Sequence, residues 1–223
     1  MARVTTFGFS AFLRLLAQNE KPQRSAVKRR HITSKGGRNF HRSLHLSIAR
    51  MLTGKASFKE VIKAARNIKK PAERRYAKVG IVRFLRWYIS MGAKGAAYPA
   101  TTLASPQGFF RVKFDPDCIV NLDGRRTAVH LWNSKEKINN DQALAALSLV
   151  AAKFPLTFDR PDDFAVLSLQ SGDIYKWSDA NKEHRKLALD LMIHLDRLFT
   201  ITQSELGIPP RGDQPYDDTR PYL

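Results

Sequence analysis

Apolar residues recur along this chain with two different periods, and the change falls near Gly95. Before it the period is helical. Residues 8–18 read as a short amphipathic helix with Ser10 as its N-cap and Phe9, Phe12, Leu15 and Leu16 on one side. The next stretch holds Pro22, the Gly36-Gly37 pair and a dense run of basic residues, which predicts a loop or mobile arm up to residue 39. Residues 40–52 fit a helix with Leu44, Ile48 and Leu52 as its stripe, closed by Gly54. Ser57 with Glu60 three residues on has the form of a capping box, and predicts a helix to about residue 68. Pro71 opens a long helix that Gly92 ends, with Ala77, Ile81, Phe84, Leu85 and Tyr88 facing inward.

Beyond Gly95 the pattern turns extended. Residues 98–105 and 109–114 predict strands, and residues 117–122 and 125–132 predict a hairpin about Asp123-Gly124, a strong two-residue turn signal. A helix follows at 140–153, a buried strand at 164–169, a short edge strand at 174–177 and a long helix at 180–206. The tail after Gly207 contains Pro209, Pro210, Pro215 and Pro221 and predicts extended chain. This order predicts an α+β fold with a sandwich-like core: basic N-terminal helices, then a small mixed sheet flanked by helices. The expected organisation is a basic helical region over 1–94 packed on a core over 95–206, with a tail over 207–223.

Composition narrows the class. The single cysteine, Cys118, excludes an intramolecular disulfide framework and a cysteine-based zinc site. It fits a reducing compartment, and with no apolar core for a secretory signal the expectation is a cytoplasmic protein. No stretch approaches the roughly 18 apolar residues that a membrane helix needs, so no membrane partner is expected.

Charge changes the picture more. The net charge is +18, and residues 1–100 carry 23 basic and 3 acidic residues against 15 and 17 in the remainder. Solubility does not require all the excess in one half, so a polyanionic partner is expected, with nucleic acid, DNA above all, ahead of an acidic protein. Candidate contacts form two clusters. Arg24, Lys28, Arg29, Arg30, Lys35, Arg38 and Arg42 make the first. Lys59, Lys63, Arg66, Lys70, Arg74 and Arg75 make the second, and its first four members, spaced 4, 3 and 4 apart, fall on one helical face able to track phosphates.

Candidate chemistry lies in the hairpin. Pro116-Asp117 opens one strand, and Asn133-Ser134-Lys135 follows the next. Here the chain resembles the PD-(D/E)xK nuclease superfamily, over about the middle 100 residues. The resemblance implies a core of helix, three-strand meander, helix and strand. It also implies a site in which Asp117 ligates Mg²⁺ or Mn²⁺, position 133 supplies a second acidic ligand and Lys135 stabilises developing charge. Two further positions resemble the RecB-like branch: His45, or His41, as a helix-borne histidine beside the metal, and Gln142 at the start of the following helix. The departure is Asn133, whose amide oxygen carries no charge; Glu136, Asp115 or Asp123 could substitute. The register also matters. A strict two-residue turn pairs Asp117 with His130 and puts it on the Trp132 face, away from Asn133 and Lys135, unless a longer loop or one β-bulge intervenes.

Other chemistries find no motif: there is no phosphate loop, no G-x-G-x-x-G and no G-x-S-x-G. Three readings follow. One is a nucleic-acid-binding protein with a nuclease-like core, either a metal-dependent phosphodiesterase or its catalytically impaired relative. Another is a non-enzymatic DNA-binding or regulatory module. The third is an adaptor for an acidic protein partner. Oligomeric state is not legible.

Overall fold

Two small sheets organise the molecule, and the hairpin of the larger one carries Asp117 and His130. A computed structural model describes residues 4–32, 42–91, 98–157 and 159–208. The elements in order are β1 (Thr5–Gly8), α1 (Phe9–Leu16), α2 (Glu20–His31), α3 (Arg42–Leu52), α4 (Phe58–Arg66), α5 (Pro71–Ser90), β2 (Thr101–Ala104), β3 (Phe110–Phe114), β4 (Cys118–Leu122), β5 (Arg125–Trp132), α6 (Asn140–Lys153), β6 (Asp163–Ser168), β7 (Ile174–Lys176) and α7 (Lys182–Glu205). The α+β class and the mixed sheets agree with the sequence.

The four-stranded sheet has the order β4-β5-β6-β7, with β5 and β6 parallel and the outer pairs antiparallel. Helix α6 connects the parallel pair. Because β5 and β6 are covered on both faces, their residues from Thr127 and Asp163 onward are buried without alternation. One face, bearing Cys118, Val120, Val129, Leu131, Ala165 and Leu167, packs on Leu44, Ile48, Ala77, Ile81 and Phe84 of α3 and α5. The other, bearing Ile119, Ala128, Trp132, Phe164 and Val166, packs on α1, α6, α7 and the three-stranded sheet. The hairpin turn is of the expected kind: Asp123 and Gly124 both take positive φ, 52° and 79°.

The structure departs from the sequence reading at definite points. The expected meander is split: β3 pairs with β2 and, in parallel, with β1, whereas β4 pairs with β5. Strand β1 lies in a stretch read as the lead-in to a helix. Its only core anchor is Phe7, which meets Phe110 edge-on, so a pairing partner more than 100 residues away decides it. The expected arm is largely helix α2. Pro22 falls in its first turn, where its missing N–H costs nothing, and both glycines lie beyond it. The described helices before residue 92 divide between the two faces of the larger sheet: α1 and α2 join the α6–α7 side, and α3 to α5 cover the opposite face. Residues 33–41 and the tail from 209 lie outside the described residues. Among the described residues no helix is long and apolar enough to cross a membrane.

Candidate functional site

Strand β4 begins where its ladder with β5 slips by one. Cys118 is the partner of Val129, yet the amide of Asp117 donates to the Val129 carbonyl at 2.9 Å. Two residues thus face one, the arrangement of a β-bulge, and this irregularity re-aims the Asp117 side chain despite the strict two-residue turn. Asp117 Oδ2 accepts from the Leu131 amide at 2.8 Å, taking the place of the strand partner that β5 lacks there. Its other oxygen accepts from Nδ1 of His45 on α3. The two residues named from the resemblance as a metal pair are therefore in direct contact.

A second imidazole, outside the candidate set that the sequence offers, completes the cluster. His130 Nδ1 lies 3.3 Å from the Asp115 carbonyl and 3.5 Å from Asp117 Oδ2, and its ring stacks beside that of His45 at 6.3 Å. With two oxygens facing Nδ1, the ring proton sits there, and Nε2 accepts from Ser10 Oγ at 2.7 Å. Ser10 is therefore not the cap of α1; Gly8 occupies that position and the hydroxyl serves His130 instead. Electrostatics separate the two rings. Burial pushes His45 down, but its hydrogen bond to Asp117 and the charges of Asp117 and Asp115 outweigh this and raise it above the ordinary imidazole value. Burial dominates at His130 and holds it below that value, against the pull of Asp117 and with the help of His45.

The remaining candidates are engaged elsewhere. Asn133 is buried; its Oδ1 accepts from Gln170 at 3.0 Å, and its Nδ2 has no hydrogen-bond partner among the described residues. Gly80 of α5 packs so closely that a Cβ there would stand 2.8 Å from Asn133 Nδ2. The Lys135 side chain is exposed, and its backbone amide hydrogen-bonds the Tyr76 phenol. Gln142 sits in the first turn of α6 and donates to the Leu16 carbonyl at 2.9 Å, closing the end of α1. The three possible substitutes for a second carboxylate each hold a cation: Glu136 with Arg14, Asp115 with Lys113 and Asp123 with Lys176. Cys118 is buried, and burial followed by the nearby Asp117 charge drives its thiol far up, so it is protonated and inert.

These donors do not fit a resident Mg²⁺. Hard cations need several oxygen ligands, and the cluster offers one carboxylate whose two oxygens are already taken, two imidazoles, and an amide whose oxygen is committed to Gln170. Among the described residues no group of three or more His, Cys, Asp or Glu side chains is arranged to hold a metal ion.

The basic clusters separate into two kinds. In α2, Arg24 and Lys28 both pair with Glu205 of α7, and Arg30 lies over the Phe7 ring at 4.8 Å. Arg29 and Arg42 are exposed, while Lys35 and Arg38 lie outside the described residues, as does His41. On the other side Lys59, Lys63, Arg66, Lys70 and Arg75 are exposed and Arg74 half-buried, and among the described residues none of the six makes an ion pair. The helical face is shorter than its spacing suggests. α4 ends at Arg66, and Lys70 is the N-cap of α5, so the row passes from one helix to the next.

No family model matches this chain, and no curated protein matches it. A solved structure described as "Crystal structure of SSO0001" aligns over 81% of this chain and 84% of its own, at 9% identity and a TM-score of 0.34. A likeness at that distance carries no argument about fold family or activity.

Proposed function

We propose that this protein binds nucleic acid, with DNA as the first expectation, through the basic row on α4 and the start of α5. On this reading its nuclease-like hairpin is the catalytically impaired form of a phosphodiesterase site. The observation that carries the reading is the row itself: Lys59, Lys63, Arg66, Lys70, Arg74 and Arg75, none with a carboxylate partner among the described residues. A cation kept unpaired costs self-repulsion, and neutralising phosphates relieves it. Nothing in the row reads base edges, so the binding is directed at the backbone.

Impairment follows from the donor set. Asn133 carries no charge, is committed to Gln170, and each nearby carboxylate other than Asp117 already holds a lysine or arginine. Asp117 with His45 and His130 then acts as a buried polar clasp holding α3 and α1 to the mouth of the hairpin.

The test is direct. Full-length protein is incubated with plasmid, linear and single-stranded substrates, with Mg²⁺ or Mn²⁺ and with chelator, alongside Asp117→Ala and Lys135→Ala. Binding without cleavage, independent of the divalent ion, is expected. If about six row residues touch phosphates, log affinity falls with log salt at a slope near −5. Cleavage abolished by either substitution would instead make this a nuclease. Absence of binding at physiological salt would favour an acidic protein partner.

A further inference from the structure

The parallel strands β5 and β6 end together, with Trp132 beside Ser168, and the carboxyl end of β6 opens on a cavity of about 200 Å³. It lies between the second half of α5, which supplies Arg83, Arg86 and Trp87, and the turn over residues 168–172 that joins β6 to β7. No carboxylate is among the residues that line it.

Its charge is uncompensated. Arg83 donates to Gln170 Oε1, and Gln170 in turn donates to Asn133 at 3.0 Å, so the guanidinium is held in place by a neutral amide chain. Arg86, one turn further along α5 and exposed, makes no ion pair among the described residues. The hydroxyls of Ser168 and Ser171, 2.9 Å apart, add polar groups on the turn side. Trp87 is half-buried and tilts against Phe84, with ring centroids 5.9 Å apart. Two guanidiniums at helical spacing suit a phosphomonoester, and an indole beside them suits a flat ring joined to it.

We propose that this cavity is a nucleotide-phosphate site, holding a single phosphate-terminated nucleotide. At about 200 Å³ it is smaller than the roughly 300 Å³ at which drug-sized pockets begin, so it seats the phosphate end while the rest of the nucleotide stays open to solvent. The nucleotide comes either as a free mononucleotide or as the phosphorylated end of a strand. The site is separate from the α4 row and is measured without any duplex, so the two readings fail independently.

Calorimetric titration of the full-length protein with AMP, adenosine and inorganic phosphate tests it. AMP is expected to bind and adenosine to bind at least about tenfold more weakly, because the charged hydrogen bonds are lost. Arg86→Ala, an exposed substitution whose fold is checked by its melting curve, is expected to weaken AMP about tenfold. Trp87→Leu is expected to weaken AMP while leaving inorganic phosphate unchanged. Short single strands bearing a terminal phosphate or a terminal hydroxyl then compete against AMP. Displacement by the phosphorylated strand alone assigns a strand end, and displacement by neither assigns the free nucleotide. The proposal is overturned if AMP fails to bind at about 1 mM, if adenosine binds as well as AMP, or if Arg86→Ala leaves AMP affinity unchanged.

Discussion

His45 and Asp117 stand 72 residues apart in the chain and share a hydrogen bond that ties helix α3 to the first residue of the hairpin. The contact is nearly dry on the carboxylate side, where Asp117 keeps only 6% of its side-chain surface, and half open at the imidazole, at 30%. The same carboxylate closes the backbone of β5 through the Leu131 amide. One side chain thus holds a helix, a strand end and, through His130, the start of α1.

Replacing Asp117 by alanine leaves the Leu131 amide and the His45 imidazole without their acceptor. A loss of roughly 2 kcal/mol is expected, below the figure for a fully buried pair because His45 is partly solvated. Asp117→Asn keeps an acceptor for one of the two and is expected to lose less. Urea denaturation of both variants and the parent measures this, and an unchanged midpoint for the alanine variant would dismiss the clasp.

Stability should pass through a maximum with pH. His45 has its value raised in the folded state, so its contribution is complete below the ordinary imidazole value of about 6.5 and is lost as pH rises through the raised one. His130 is depressed by burial, so its contribution is present above the ordinary value and is lost as pH falls through the depressed one. Thermal melts across pH 5 to 9 read both limbs. His45→Gln is expected to flatten the alkaline limb and, by removing a charge that helps depress His130, to make the acid limb shallower; His130→Asn is expected to remove the acid limb.

Gly80→Ala should destabilise the protein although alanine is the better helix former. The new Cβ would stand 2.8 Å from Asn133 Nδ2 and 2.9 Å from Leu44 Cδ2, and both neighbours are buried and held. Overpacking of about 1–3 kcal/mol outweighs a propensity gain of at most about 1 kcal/mol. Combining it with Asn133→Ala removes one of the two clashes and is expected to restore part of the loss.

The two basic clusters should behave differently in a salt titration of duplex binding. Neutralising Lys59, Lys63 and Arg66 together removes up to three phosphate contacts and is expected to reduce the magnitude of the log–log salt slope by about 2.7. Neutralising Arg24 and Lys28 should change it far less, because both already pair with Glu205. Equal effects from the two sets would mean that net charge, and not the row, attracts the polyanion.

What the sequence determined by itself is what local chemistry dictates. The capping box at Ser57 and Glu60, Pro71 at a helix start and the Asp123-Gly124 turn each act within a span of about four residues. The structure realises each where its residues stand. The apolar run at 164–169 predicts a buried strand, and every residue of β6 is buried.

Tertiary structure decided whatever depends on a distant partner. β1 exists because β3 lies alongside it, and α2 is held by Glu205 and Thr202 of α7, contacts invisible to any local window. The one-residue slip at Val129 brings Asp117 to His45, while Asn133, Lys135 and Gln142 turn to other tasks. A spacing along a strand leaves open which neighbour satisfies each polar group. That assignment follows from the desolvation cost of leaving any of them unpaired once the helices have closed over the sheet.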